Sequence, residues 1–239
     1  LPLASAGDVT ALSDADKAKE YGTVTVTLWG ADADLSWVKA DEVYIKAAAA
    51  PTARTTPSVT LSNTAKKVFV ETAVTVASGS ELPYVEVKAD DVTVSATDTL
   101  IVSTKDDATV TLSGAVATLT VNGGTSTTVA GSGAVTELNA NSKTVVNTTA
   151  TTVNAKADVE INASGKTVGT INVETAGKTV KVTDGTVSAI EAKAETTINV
   201  AESKTVNKVN ATAKVTVSGA GTVTTLDTDS NVSVEGTVG

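Results

Sequence analysis

The chain has 239 residues, a length that suits one domain or a small pair. It contains no Cys, His or Met, which excludes Cys/His zinc and iron–sulfur sites, thiol nucleophiles, Ser-His-Asp triads and disulfide staples. With 18 Lys plus Arg against 27 Asp plus Glu the net charge is −9, so no basic stripe is available to a nucleic acid.

The 44 threonines and 38 valines bias the chain toward strands. No run approaches 18 apolar residues, and no membrane insertion is expected. Leu1-Pro2-Leu3-Ala4-Ser5-Ala6 reads like the end of a secretory signal, with Ala4-Ser5-Ala6 as a cleavage site, and it reads equally well as an arbitrary boundary. The acidic, Thr/Ser/Asn-rich composition without oxidisable sulfur favours an extracellular location.

Residues 1–22 form an N-terminal extension or cap. Ser13 to Glu20 predicts a short helix, with Ser13 as N-cap and acidic residues in its first turn. Residues 23–62 read as irregular first coils with an inserted loop. Thr23-Val-Thr-Val-Thr-Leu28 is the expected first strand of a stack. Val43-Tyr-Ile45 and Val59-Thr-Leu61 follow, interrupted by Ala47 to Pro51 and the Thr-rich stretch beyond.

From residue 63 to 239 the pattern is regular. Val68-Phe69-Val70 with Val74-Thr-Val76, Val85-Glu-Val87 with Val92-Thr-Val94, and Ile101-Val102 with Val110-Thr-Leu112 predict three coils. An explicit repeat then sets in, with Val116-Ala-Thr-Leu119-Thr-Val121 echoed from 135, 168, 187, 206 and 223, and more weakly from Ala150. From the second copy onward each carries another short strand, such as Val159-Glu-Ile161 or Val215-Thr-Val217. Glycine turns follow several of these, at Gly165, Gly185, Gly219 and Gly236. Such short strands bury nothing alone, but stacked neighbours cover one another.

The predicted fold is all-β: a right-handed parallel β-helix (β-solenoid) of about ten to eleven coils with an N-terminal capping region. A β-sandwich competes, since it too has many short strands, but it does not require one unit repeated seven times.

Few side chains suggest chemistry. Acidic pairs such as Asp90-Asp91 and Asp106-Asp107 read as solvated turns, with a shared Ca²⁺ as the sharper alternative. Lys-Thr after a small residue recurs at 142–144, 165–167, 177–179 and 203–205; the two Gly-Lys-Thr copies lack the earlier glycine of a phosphate loop, and the recurrence marks a turn whose lysines offset neighbouring acids. Asn139, Asn154, Asn172 and Asn210, with Thr120, Glu191 and Asp227 at the same repeat position, predict a ladder of polar side chains along the rod. The Thr row at 23, 25 and 27 does not stay in phase through later coils, which argues against an ice-binding face.

All six aromatics lie in the first 84 residues, and Trp29, Trp37 and Tyr44 are the candidates for glycan contact. The chain runs straight out of a regular coil at Gly239, so its last rung is expected to be bare. Leu1, Leu3, Val232, Val234 and Val238 are the candidate assembly interface. Catalytic residues, metal ligands and cofactors are not expected.

The unit Val206-Asn-Lys-Val209-Asn-Ala211-Thr-Ala-Lys-Val215-Thr-Val217-Ser-Gly219 and its copies resemble the β-solenoid repeats of secreted bacterial surface proteins, including S-layer-associated and adhesin-type proteins. The resemblance covers residues 63–239 and is one of repeat style. It implies a structural or adhesive role at the bacterial cell surface: a rod that assembles head to tail with itself, or alternatively a glycan-binding adhesin module or stalk.

Overall fold

The computed structural model describes residues 1–3, 12–48, 56–235 and 237–238. It is an all-β parallel β-solenoid of about 11 turns, as the repeat predicts. Each turn contributes a strand to a broad face and a shorter strand to a narrow face, and every pairing within a face is parallel. On the broad face Leu100, Leu119, Leu138, Val153, Ile171, Ile190 and Val209 are successive register partners. The narrow face stacks Val92, Val110, Val129, Val146, Ile161 and Val182 in the same way. These side chains are buried and belong to one continuous core cluster.

The six-residue unit explains itself once its burial is followed. In Val135–Ala140 the inward residues are Val135, Leu138 and Ala140, so the strand alternates over its second half and bends between Val135 and Leu138. That bend is why the sequence repeats as V-x-x-L-x-V rather than with a strict period of two. The strand Val159–Val173 runs unbroken from the narrow face onto the broad one, and Lys178–Ala192 does the same. Both turn the corner at glycines in the left-handed region, Gly165 at φ +67 and Gly185 at φ +90, where the expected glycine turns lie. Gly236 lies outside the described residues.

Three features depart from the sequence reading. The stack starts before Thr23, because Pro2–Leu3 pairs in parallel with Thr25 and Val26 and Leu3 is buried. A two-residue strand carries no periodic signal, so only the tertiary pairing reveals it. The helix is confined to Asp14–Lys17, capped as expected by the Ser13 hydroxyl, which accepts from the Asp16 N–H at 3.1 Å. Glu20 already belongs to the strand Glu20–Leu28. Two narrow-face strands, Ala33–Leu35 and Thr127–Gly131, fall where the sequence reading placed none. Ala150–Ala155, the weak copy, is a full member in register with both neighbours.

The corners are tight. A β-carbon on Gly133 would stand 2.0 Å from the Gly114 carbonyl oxygen, and one on Gly131 2.2 Å from that of Leu112. Consecutive backbones at this corner touch directly, which only glycine permits.

Candidate functional site

Catalysis needs polar groups held in a partly desolvated place, and the solenoid holds very few. Among the described residues no charged side chain is buried; the buried polar side chains are six threonines. Their hydroxyls donate to backbone carbonyls: Thr97 to Leu82, Thr127 to Gly123, Thr144 to Ser142, Thr196 to Ala194, Thr104 to Asp106, and Thr148 to Gly131 and Gly133. Each is a satisfied corner staple. Ser95 Oγ is the one buried side-chain polar atom without a partner among the described residues.

The acidic turns are structural where they can be followed. Asp90 Oδ1 accepts from the Asp91 and Thr109 N–H groups, both at 2.7 Å. Asp32 accepts likewise from Ser58, and Asp158 from Thr179, in each case one coil onward. These aspartates cap the first free N–H of the next narrow-face strand. Asp90 and Asp107 do share a small hollow of about 160 Å³, lined also by Thr109, Ser126 and Thr128. No group of three or more acidic side chains able to hold a metal occurs among the described residues.

The Lys-Thr recurrences separate into two pairs. Lys143 and Lys178 lie at the entry to narrow-face strands, whereas Lys166 and Lys204 lie at the corner into the broad face. Lys166 reaches back to the carbonyls of Gly131 and Asn147, at 2.9 and 2.8 Å. Lys204 instead pairs with Asp184 at 2.6 Å. The Lys204 ammonium, then the Gly185 N–H and the Ser164 hydroxyl, hold the Asp184 carboxyl below the usual carboxylate range. Because the folded state lowers this pKa, the stability it contributes is present above the ordinary carboxylate value and is lost as pH falls through the depressed one. A carbon-detected NMR titration is expected to place Asp184 below the ordinary value and to raise it in Lys204→Met. An unchanged midpoint in that variant would remove the ion pair from the account.

The polar ladder is present on the broad face. Asn154 donates to Asn139 at 2.9 Å, Asn172 to Asn154 at 3.0 Å, and Asn210 to Glu191 at 2.5 Å. These bonds run from coil to coil in two segments, Asn139–Asn154–Asn172 and Glu191–Asn210.

Nearer the N-terminus the same ladder turns aromatic. Tyr44 and Phe69 are register partners whose rings lie 4.7 Å apart at 17°, and Tyr84 follows at 6.2 Å and 59° from Phe69. Lys46 lies over the Tyr44 ring and Lys88 over Phe69. Tyr44 therefore spends its ring faces on Phe69 and Lys46. Trp37 is partly buried against the core, its indole N–H donating to the Asp34 carbonyl at 3.2 Å. Trp29 is 49% exposed, just past the end of strand Glu20–Leu28. Trp37 precedes the strand Lys39–Ala47 and Trp29 lies beside its far end, on the order of 25 Å away at 3.3 Å per residue. The three aromatics do not converge.

The candidate assembly residues fall in the first and last described rungs. Leu1 and Leu3 lie in the first rung, where the Leu1 amine donates to the Thr23 carbonyl at 2.7 Å and the Thr25 N–H to the Leu1 carbonyl. Val232 and Val234 pair with Val215 and Val217, and Val238 pairs with Val223. Sequence reasoning passed over one feature: a groove of about 670 Å³ beside the starts of the first broad-face strands, lined by Glu20, Tyr21, Lys39, Asp41, Asn63 and Lys66 among others. Nothing periodic marks it, because its lining comes from three coils whose residues at these positions follow no repeat. No helix among the described residues is long and apolar enough to cross a membrane.

No protein family, characterised protein or solved structure matches this chain.

Proposed function

We propose that the chain is a non-enzymatic structural protein of the cell exterior, a rigid rod that joins head to tail with copies of itself. One observation carries this reading. Val206, Val209 and Ala211 repeat the inward positions of Val187, Ile190 and Ala192 in one parallel register, and both sets are buried. Rungs of this kind are interchangeable: each is covered by another with the same kind of inward side chains and the same strand direction. In this reading the covering rung is the first rung of a second copy, whose strands run in the same direction and offer the next parallel partner. A contact between unlike ends propagates into a filament. The exposed acidic surface keeps such rods soluble and discourages sideways association.

Electron microscopy at rising protein concentration tests this. Filaments with an axial repeat on the order of 50 Å, about eleven rungs at the strand spacing, are the expected result. Isolated short rods at every concentration would sink it and favour a stalk within a bacterial adhesin.

A further inference from the structure

The groove at the N-terminal coils has a lining that says what it would hold. It lies beside the starts of the broad-face strands Glu20–Leu28 and Lys39–Ala47 and the turn at Asn63 and Thr64. Two of its lining residues, Tyr21 and Thr64, are anchored to backbone. Ser62 and Thr64 hydroxyls both donate to the Val38 carbonyl at 2.8 Å, and the Tyr21 hydroxyl donates to the Asp16 carbonyl at 2.7 Å. Its volume is within the range of small-molecule sites.

Its charges cancel. Glu20 and Asp41 oppose Lys39 and Lys66; Lys66 pairs with Asp41 at 2.6 Å, and Glu20 and Lys39 are register partners. An ion of either sign gains nothing net from such a lining, whereas a hydroxyl, donor and acceptor at once, finds a partner on every side. Tyr21, packed against the core, is part of the lining, and the trough crosses about three rungs, on the order of 10 Å.

We propose that this groove binds a neutral polyhydroxylated chain, a saccharide segment of two or three sugars. The site is separate from Trp29, Trp37 and Tyr44, and its occupancy does not depend on the terminal rung. It gives the rod a side attachment to a polysaccharide.

Gly22 provides the test. A β-carbon there meets nothing within 4 Å, so Gly22→Leu fills the trough without straining the fold. The full chain is titrated by NMR with neutral β-1,4-glucan, β-1,4-xylan, β-1,4-mannan and α-1,4-glucan oligomers. Binding of at least one, with shifts at the Gly22 and Asn63 amides, is expected. At least a tenfold loss in Gly22→Leu and a smaller loss in Asn63→Ala should follow, with melting temperatures unchanged. No shift with any oligomer at millimolar concentration overturns the proposal, as does binding that Gly22→Leu leaves intact. Binding abolished by 0.5 M NaCl also overturns it, since it points to a charged or zwitterionic ligand such as a peptide.

Discussion

Val232→Lys combined with Val234→Lys is expected to abolish filaments while leaving each rod folded and its melting temperature unchanged. In the isolated rod these side chains are partly exposed, so two ammonium groups reach water at little cost. In a junction the same positions become those of Val215 and Val217, which are 0% and 1% exposed. Each unpaired charge placed there costs several kcal/mol, and each 1.4 kcal/mol is tenfold in an association constant. The critical concentration for assembly should therefore rise by at least about 100-fold, read by sedimentation or light scattering. Thr216→Lys is the control: Thr216 points outward one rung earlier, and filaments should persist. Filaments that grow unchanged from the double lysine variant would show that the terminal rung is not the junction.

Leu138→Ala, by contrast, is expected to weaken the rod itself, by about 3 kcal/mol in urea denaturation. Leu138 is fully buried, stacked between Leu119 and Val153, and the register on both sides is fixed by backbone pairing. The coils cannot close over the lost methyl groups without breaking hydrogen bonds above and below, so the cavity persists. Because each coil contacts only its neighbours, hydrogen exchange should accelerate most in the rungs containing Leu119, Leu138 and Val153 and least near Val26 or Val217. Val145→Ala on the outer surface should change stability by less than about 0.5 kcal/mol. A loss under 1 kcal/mol for Leu138→Ala would contradict the tightly packed ladder.

The architecture was legible because a solenoid writes its fold into a one-dimensional pattern. Val116, Val135, Val168, Val187, Val206 and Val223 recur because every coil meets the same problem of covering its neighbour. Composition set the negative conclusions: without Cys or His the common soft-metal and triad chemistries have no residues to use. The polar ladder through Asn139, Asn154 and Asn172 was readable for the same reason, as equal repeat positions stack.

Other features belong to the tertiary structure alone. Pro2–Leu3 joins the first rung through pairing with a strand more than twenty residues on, and two residues cannot announce a period. Trp29, Trp37 and Tyr44 look clustered in the chain, but the coil sends them to different places and turns the faces of Tyr44 to Phe69 and Lys46. The groove brings Glu20 and Tyr21 together with Lys39, Asp41, Asn63 and Lys66 from the next two coils, and no residue in it breaks a sequence rule. Local pattern records which side of a strand is buried. Which distant residues share a corner depends on how many residues each coil takes to come round, and here that number varies from turn to turn.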